Sequence, residues 1–184
     1  MLSPWRLPKT VRLGEQEFDL HTDFRDILDI FSWLQRQDLP LFIRWQVALG
    51  LFYVQPVPEG LMGQAIGYLE AFLRGGRQEV PAGPKLLDWE LDGDIIIADV
   101  NKAAGTELRA LPYVHWWTFL AWFHGVGPGQ LSALVSVREA VQTGKKLEPW
   151  QKDYLRENRS RVLMQKPLTP EQLAEKQRLE NLLK

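Results

Sequence analysis

Cysteine is absent from this 184-residue chain, which excludes a disulfide framework, a thiolate zinc site and a cysteine nucleophile. Neither sign of charge is in excess. Lys and Arg number 22 against 23 Asp and Glu, for a formal net charge of -1, so no global field draws the protein to nucleic acid. Histidine is scarce at three residues; His115 and His124 would sit on opposite sides of one helix and so cannot share a metal there. No apolar stretch reaches the roughly 20 residues of a membrane span. Met1 to Lys9 has two prolines and no apolar h-region, so neither an export signal nor membrane insertion is expected. Glycines form neither a P-loop nor a dinucleotide-binding pattern, and no grouping of nucleophile, base and oxyanion donors is discernible. The expectation is a cytoplasmic protein without catalytic residues, cofactor or metal.

What the chain has in quantity is aromatic side chains, including eight tryptophans. They are densest in Leu111-Pro112-Tyr113-Val114-His115-Trp116-Trp117-Thr118-Phe119-Leu120-Ala121-Trp122-Phe123-His124-Gly125. The run reads as a helix over Tyr113 to His124, opened by Pro112 and stopped by Gly125. A helix apolar on nearly all sides must be surrounded, and about three turns cannot span a bilayer of ~30 Å. It is therefore placed at the centre of a helical domain, wrapped by the first helix, the Leu41 to Tyr53 helix and the helix after Pro128. His115, Trp116, Trp117, Phe119 and Arg138 are the expected fold determinants. Trp116, Trp117 and Trp122 could also line a ligand cage, but aromatics at helical spacing without recurring polar partners read as core.

Around this centre the pattern is mainly α. Thr10 to Leu13 and Glu17 to Leu20 alternate about Gly14, which reads as a small hairpin. Thr22 or Asp23 caps a first helix with Phe24, Ile27, Leu28, Phe31 and Leu34 on one stripe. A second helix runs from Leu41 to about Tyr53 with Phe42, Trp45, Leu49 and Phe52 inward, and a third from about Gly60 to Arg74. The glycine- and proline-rich stretch at about 75–86 is the expected flexible loop. Asp88 to Ala104 reads as a helix, with Ile95-Ile96-Ile97 leaving a buried strand as an alternative. Helices follow over Gln130 to Gln142 and from Pro149 to about Gln165. Thr169-Pro170-Glu171-Gln172 opens a terminal helix. The expected organisation is a core of residues 1–165, a bundle of seven to eight helices with an N-terminal hairpin, followed by a helical tail at 166–184.

Two segments invite a chemical reading. Asp88, Glu90, Asp92, Gly93 and Asp99 approximate a calcium loop, yet Asp99 is one methylene shorter than the Glu that ligates bidentately. Acids favoured by a helix dipole explain the pattern as well. Residues 145–166 hold seven basic side chains against three acids, among them Arg156 and Arg159, interleaved with Trp150, Tyr154 and Leu155. That is a solvated face over a packed stripe, or a surface suited equally to an acidic protein or to nucleic acid. In the tail, Leu173, Leu179, Leu182 and Leu183 form a narrow stripe suited to docking on a partner.

Several of these segments carry a resemblance in their order and spacing. Leu7-Pro8 leads into the hairpin, Thr22-Asp23-Phe24-Arg25 opens the first helix, and Leu87-Asp88-Trp89-Glu90-Leu91-Asp92 starts a middle one. His115-Trp116-Trp117-Thr118-Phe119 and Val135-Ser136-Val137-Arg138 follow. Over Leu7 to Met164 the chain resembles the bacteriophage gene-product-fifteen family of long-tailed phages of Gram-positive hosts, taken for tail assembly chaperones. The resemblance implies a helical, non-catalytic protein of the host cytoplasm that binds tape-measure protein, tail-tube protein or both during tail morphogenesis. It further implies a chain that can arise as part of a frameshift product. A homo-oligomer is compatible with it. Leu173, Leu179, Leu182, Leu183, Arg156 and Arg159 are then the candidate partner contacts. The alternatives are a structural component of the virion tail and a nucleic-acid-binding regulator.

Overall fold

The computed structural model describes residues 5–78, 83–165 and 178. Its first element is the expected hairpin: β1 (Thr10–Leu13) pairs antiparallel with β2 (Gln16–Asp19), from Thr10 opposite Asp19 to Leu13 opposite Gln16. Gly14 makes the turn at φ 60°, a left-handed conformation that costs a residue without a Cβ little. Two strands alone are marginal. Leu13, Phe18 and Leu20 therefore bury their side chains in the core, and Leu20 forms a bridge to Tyr53 beyond the hairpin.

Eight α-helices follow among the described residues, so the fold is mainly α with a small N-terminal hairpin. Helices α1 (Phe24–Leu34) and α2 (Leu41–Phe52) pack side by side, and α3 (Met62–Leu73) packs against α2. Gly75 and Gly76, both left-handed, stop the chain beyond α3. Then come α4 (Gly93–Ala104), which ends at left-handed Gly105, α5 (Trp116–His124) and α6 (Gln130–Gln142). The last two are α7 (Pro149–Glu157) and α8 (Arg159–Val162). No helix of the described residues is long and apolar enough to cross a membrane.

The chain divides into two compact units after Ala133, within α6. In the first, the core is a chain of rings. Phe24 stacks on Phe119, Phe119 on Trp116, and Trp89 lies against Trp116, Phe119 and Phe123. Phe72 of α3 joins the ring of Trp117 to that of Phe52. The neighbours of α5 are thus α1, α3 and α4, while α2 pairs with α1 and α3 instead of wrapping the aromatic helix as its stripe suggested. In the second unit, buried Arg138 donates from Nη2 to the Arg161 carbonyl, and Gln151 donates to Ser136 while accepting from the Glu148 N–H at the start of α7.

Several expected boundaries move, each for a local reason. Helix α5 begins at Trp116 and not at Tyr113, because residues 114–116 are drawn into extended pairing with 22–24. Helix α4 begins at Gly93: the Asp88 carboxylate accepts from the Glu90 and Leu91 N–H groups and holds 88–92 in a separate turn. The isoleucines 95 to 97 are helical. The helix expected to run to Gln165 breaks at Asn158, whose side chain donates back to the Tyr154 carbonyl. In α1 the deepest residues are Phe24, Ile27 and Ile30, with Leu28, Phe31 and Leu34 only half-buried. Phe42, placed inward by its spacing, is 63% exposed.

One glycine is fixed by a close approach. A Cβ on Gly129 would lie 2.7 Å from Asp99 Oδ2, the oxygen that accepts at 2.8 Å from the Leu131 N–H in the first turn of α6. Asp99 thus caps α6 from a distance, and any side chain at 129 displaces it. Gly129→Ala should cost ~1 kcal/mol, the value of a lost N-terminal cap, read as a shift in the denaturation midpoint. The same substitution in an Asp99→Ala background should be nearly silent. Equal costs in both backgrounds would exclude the carboxylate as the cause.

Candidate functional site

Four of the segments that carry the resemblance meet at one place in the first unit, where α1 and α5 begin side by side, while Val135 to Arg138 lies in the second unit. The backbone of residues 22–24 runs antiparallel to 114–116: Trp116 N–H donates to the Thr22 carbonyl at 2.7 Å and Phe24 N–H to the Val114 carbonyl at 2.9 Å. Asp23 serves both strands. Its Oδ1 accepts from Arg25 N–H at 3.0 Å, capping α1, and its Oδ2 accepts from Val114 N–H at 2.8 Å. An aspartate is suited to this because an ionised carboxylate only accepts, and two N–H groups face it. Arg25 lies beside Asp23 and donates to the carbonyls of Leu108 and Leu111, which anchors the turn before the extended segment.

His115 caps α5 in the same way. Its Nδ1 accepts from Trp117 N–H at 3.0 Å, and its Nε2 lies 3.0 Å from the Pro8 carbonyl, which assigns the ring proton to Nε2. The two tryptophans that follow close the far end of α3. Trp116 Nε1 donates to Leu73 and Trp117 Nε1 to Phe72, both carbonyls in the last turn of that helix. Trp89, from the 87–92 segment, covers the other side of α5. Pro8, Thr22 to Arg25, Trp89 and His115 to Phe119 therefore form one largely buried node, in which Pro8, Thr22, Asp23 and His115 are joined by hydrogen bonds and Trp89 by ring contacts.

Burial pushes the His115 pKa below that of an exposed histidine, against the opposing bond to Pro8. A second proton would also occupy Nδ1 and remove the cap. The unfolded chain takes up this proton near pH 6.5 and the folded chain only at lower pH. The stability contributed by His115 is thus fully present above that pH and is lost as pH falls through it, with a slope of at most about 1.4 kcal/mol per pH unit. His115→Asn keeps a capping oxygen and does not titrate. The native chain should lose more stability between pH 7 and pH 5 than this variant does; parallel losses would assign the response to another group.

The remaining expected site residues lie elsewhere. Trp116, Trp117 and Phe119 are buried, and Arg138 is buried in the second unit. Arg156 is exposed and pairs with Asp153 at 2.9 Å, and Arg159 is exposed. Leu173, Leu179, Leu182 and Leu183 lie outside the described residues. The acids of the calcium-like segment are spent separately. Asp88 caps its turn and pairs with Lys85 at 2.7 Å, Asp92 accepts from Asp88 N–H, and Asp99 caps α6. Burial opposes ionisation of Asp88, but Lys85 and the two N–H groups outweigh it and hold its carboxyl below the usual range. Among the described residues no group of three or more His, Asp or Glu is placed to hold a metal ion.

Two surface features escaped the sequence. Leu41 and Phe42, 59% and 63% exposed, form an apolar step at the start of α2. Beside the node, Lys9, His21, Asp26 and Tyr113 surround a pocket of about 240 Å3. The signal for the first was present, since α2 contains no acid and a single base over twelve residues. A helix that apolar has more faces than α1 and α3 can cover. Nothing in local spacing brings position 113 next to 26.

No family model, curated protein or solved structure matches this chain.

Proposed function

We propose that the protein is a non-catalytic, tail assembly chaperone-like protein that acts in the host cytoplasm and binds tape-measure protein, tail-tube protein or both during phage tail morphogenesis. The observation that supports this reading best is the convergence of four of the motif segments at the start of α1 and α5, where residues far apart in sequence, Pro8, Thr22 to Phe24 and Val114 to Trp116, bond to one another. Their polar atoms are committed to capping and pairing, which suits a scaffold better than a reaction centre. The exposed Leu41 and Phe42 supply apolar surface of the kind that captures a helical client, since burying it is worth about 25 cal/mol per Å2.

Arg156 is engaged by Asp153, so the basic segment gives the nucleic-acid alternative little support. The direct test is co-purification of the full chain with tape-measure and tail-tube proteins. Leu179→Asp with Leu183→Asp should lower retention without shifting the melting temperature, as should Phe42→Asp. Unchanged retention in all of these would remove the assigned contacts, and the absence of any tail protein in the co-purified material would remove the function. Stable incorporation into purified virions would make the protein a structural tail component instead.

A further inference from the structure

The pocket beside the node contains a carboxylate that the protein leaves unengaged. Asp26 lies in the first turn of α1 and is half-buried, yet among the described residues no hydrogen bond or ion pair reaches it. Its surroundings add to the unfavourable field. Both oxygens of Asp23 are already occupied by N–H groups, and Asp29 follows one turn later. Burial first, then the charge of Asp23, pushes the Asp26 carboxyl above the usual carboxylate range, while His21 opposes this. A cation placed at this carboxylate would offset the cost of its desolvation and the like-charge repulsion together.

Tyr113, which lines the same pocket, already receives a cation. Tyr113 is 44% exposed, and its hydroxyl is held 2.7 Å from Thr22 Oγ1, which fixes the ring. The Lys9 ammonium lies 5.1 Å from the ring centroid, within the range of a cation–π contact. Lys9 makes no ion pair with Asp26, and the acid and the aromatic ring line one hollow. Its volume of about 240 Å3 falls below the ~300 to 1,000 Å3 of small-molecule sites. One long side chain fits it.

We propose that this pocket takes a lysine or arginine side chain of a partner polypeptide, with the cationic head on the Asp26 carboxylate and the stem along the Tyr113 ring. The proposal rests on the reading of the protein as one that binds polypeptides, and it names the chemistry of one contact. Charge and shape select the occupant: an acidic side chain meets Asp23 and Asp26, and an apolar one leaves the Asp26 charge desolvated and unpaired.

The test is an NMR titration of the full chain at pH 7.5 with capped Gly-Arg-Gly and Gly-Lys-Gly peptides, and with Gly-Glu-Gly as control. Saturable shifts at residues 21–26 and 113 are expected for the two basic peptides only. Asp26→Asn should weaken binding by about tenfold or more, as for loss of a charged hydrogen bond. Asp29→Asn, which removes an exposed charge, should change it by about twofold or less. Lys9→Gln should tighten binding by vacating the ring. Equal effects of Asp26→Asn and Asp29→Asn, or shifts spread over the surface, would overturn the proposal. So would n-butylamine binding as tightly as the peptides, since that makes the pocket a small-amine site. The outcome is separable from the tail assignment. Peptide binding through Asp26 with no tail protein co-purified sinks only the latter, and co-purification with no Asp26-dependent binding sinks only the pocket.

Discussion

Trp116→Ala is expected to lower the stability of the protein by ~3–5 kcal/mol, the range for removing a buried Trp or Phe side chain. Trp116 is 1% exposed and among the largest fully buried side chains. It stacks on Phe119 with ring centroids 5.4 Å apart, tilts against Phe31 at 5.8 Å and receives Trp89 edge-on at 5.8 Å. Its removal would leave a cavity bounded by α1, α5 and the 88–92 turn, all of which contribute rings to its surroundings. The Leu73 carbonyl would lose its donor as well. Against a typical total of 5–15 kcal/mol, such a loss puts a substantial fraction of the chain in the unfolded state. Trp116→Phe keeps ring volume but not the N–H, so its cost should be smaller, about 1–3 kcal/mol. Urea denaturation of both variants provides the measurement. A cost under 1 kcal/mol for Trp116→Ala would mean that the indole is not interior, and that the aromatic segment is open to solvent or ligand.

The sequence identifies the interior correctly because bulky rings have few alternatives to burial, and it identifies the helices because their apolar spacing is local. It fails where a distant residue outbids a local signal. Pro112 is a good first-turn residue, yet Tyr113 to His115 do not join the helix, since Asp23 and Thr22 offer that backbone better partners from ninety residues away. The acids at 88 to 99 look like one cluster in sequence. The fold turns Asp88, Asp92 and Asp99 to different N–H groups, with Asp99 carried away to α6.

The candidate site shows the same division. His115 is recognisable as a fold determinant, and Trp116 and Trp117 as core, from the run that contains them. The pocket at Asp26 and Tyr113 is not, because a hollow depends on where two unrelated segments stop touching. Phe42 was misplaced for a related reason. On a helix apolar all round, spacing no longer distinguishes the covered face from the open one, and only the positions of α1 and α3 decide it.

Asp23→Ala is expected to cost about 3 kcal/mol although the substitution removes few atoms, because two separate losses add. The cap of α1 is worth about 0.5–2 kcal/mol. The Val114 N–H, which Asp23 Oδ2 accepts at 2.8 Å, would remain buried without a partner, a penalty of about 1–3 kcal/mol. Asn at this position keeps one acceptor oxygen but turns an NH2 toward one of the two N–H groups, so Asp23→Asn should fall between native and Ala. The location makes a further prediction about coupling. Asp23 and His115 face each other across the bridge that joins the starts of α1 and α5, so loosening either cap loosens the backbone that presents the other. The double variant Asp23→Ala, His115→Ala should therefore depart from the sum of the single costs by about 0.5–3 kcal/mol, the range for residues sharing one network. Denaturation followed by far-ultraviolet circular dichroism measures all three. Strict additivity would show two independent caps, and a single cost below 1 kcal/mol for Asp23→Ala would show that aromatic packing alone holds the two helices in register.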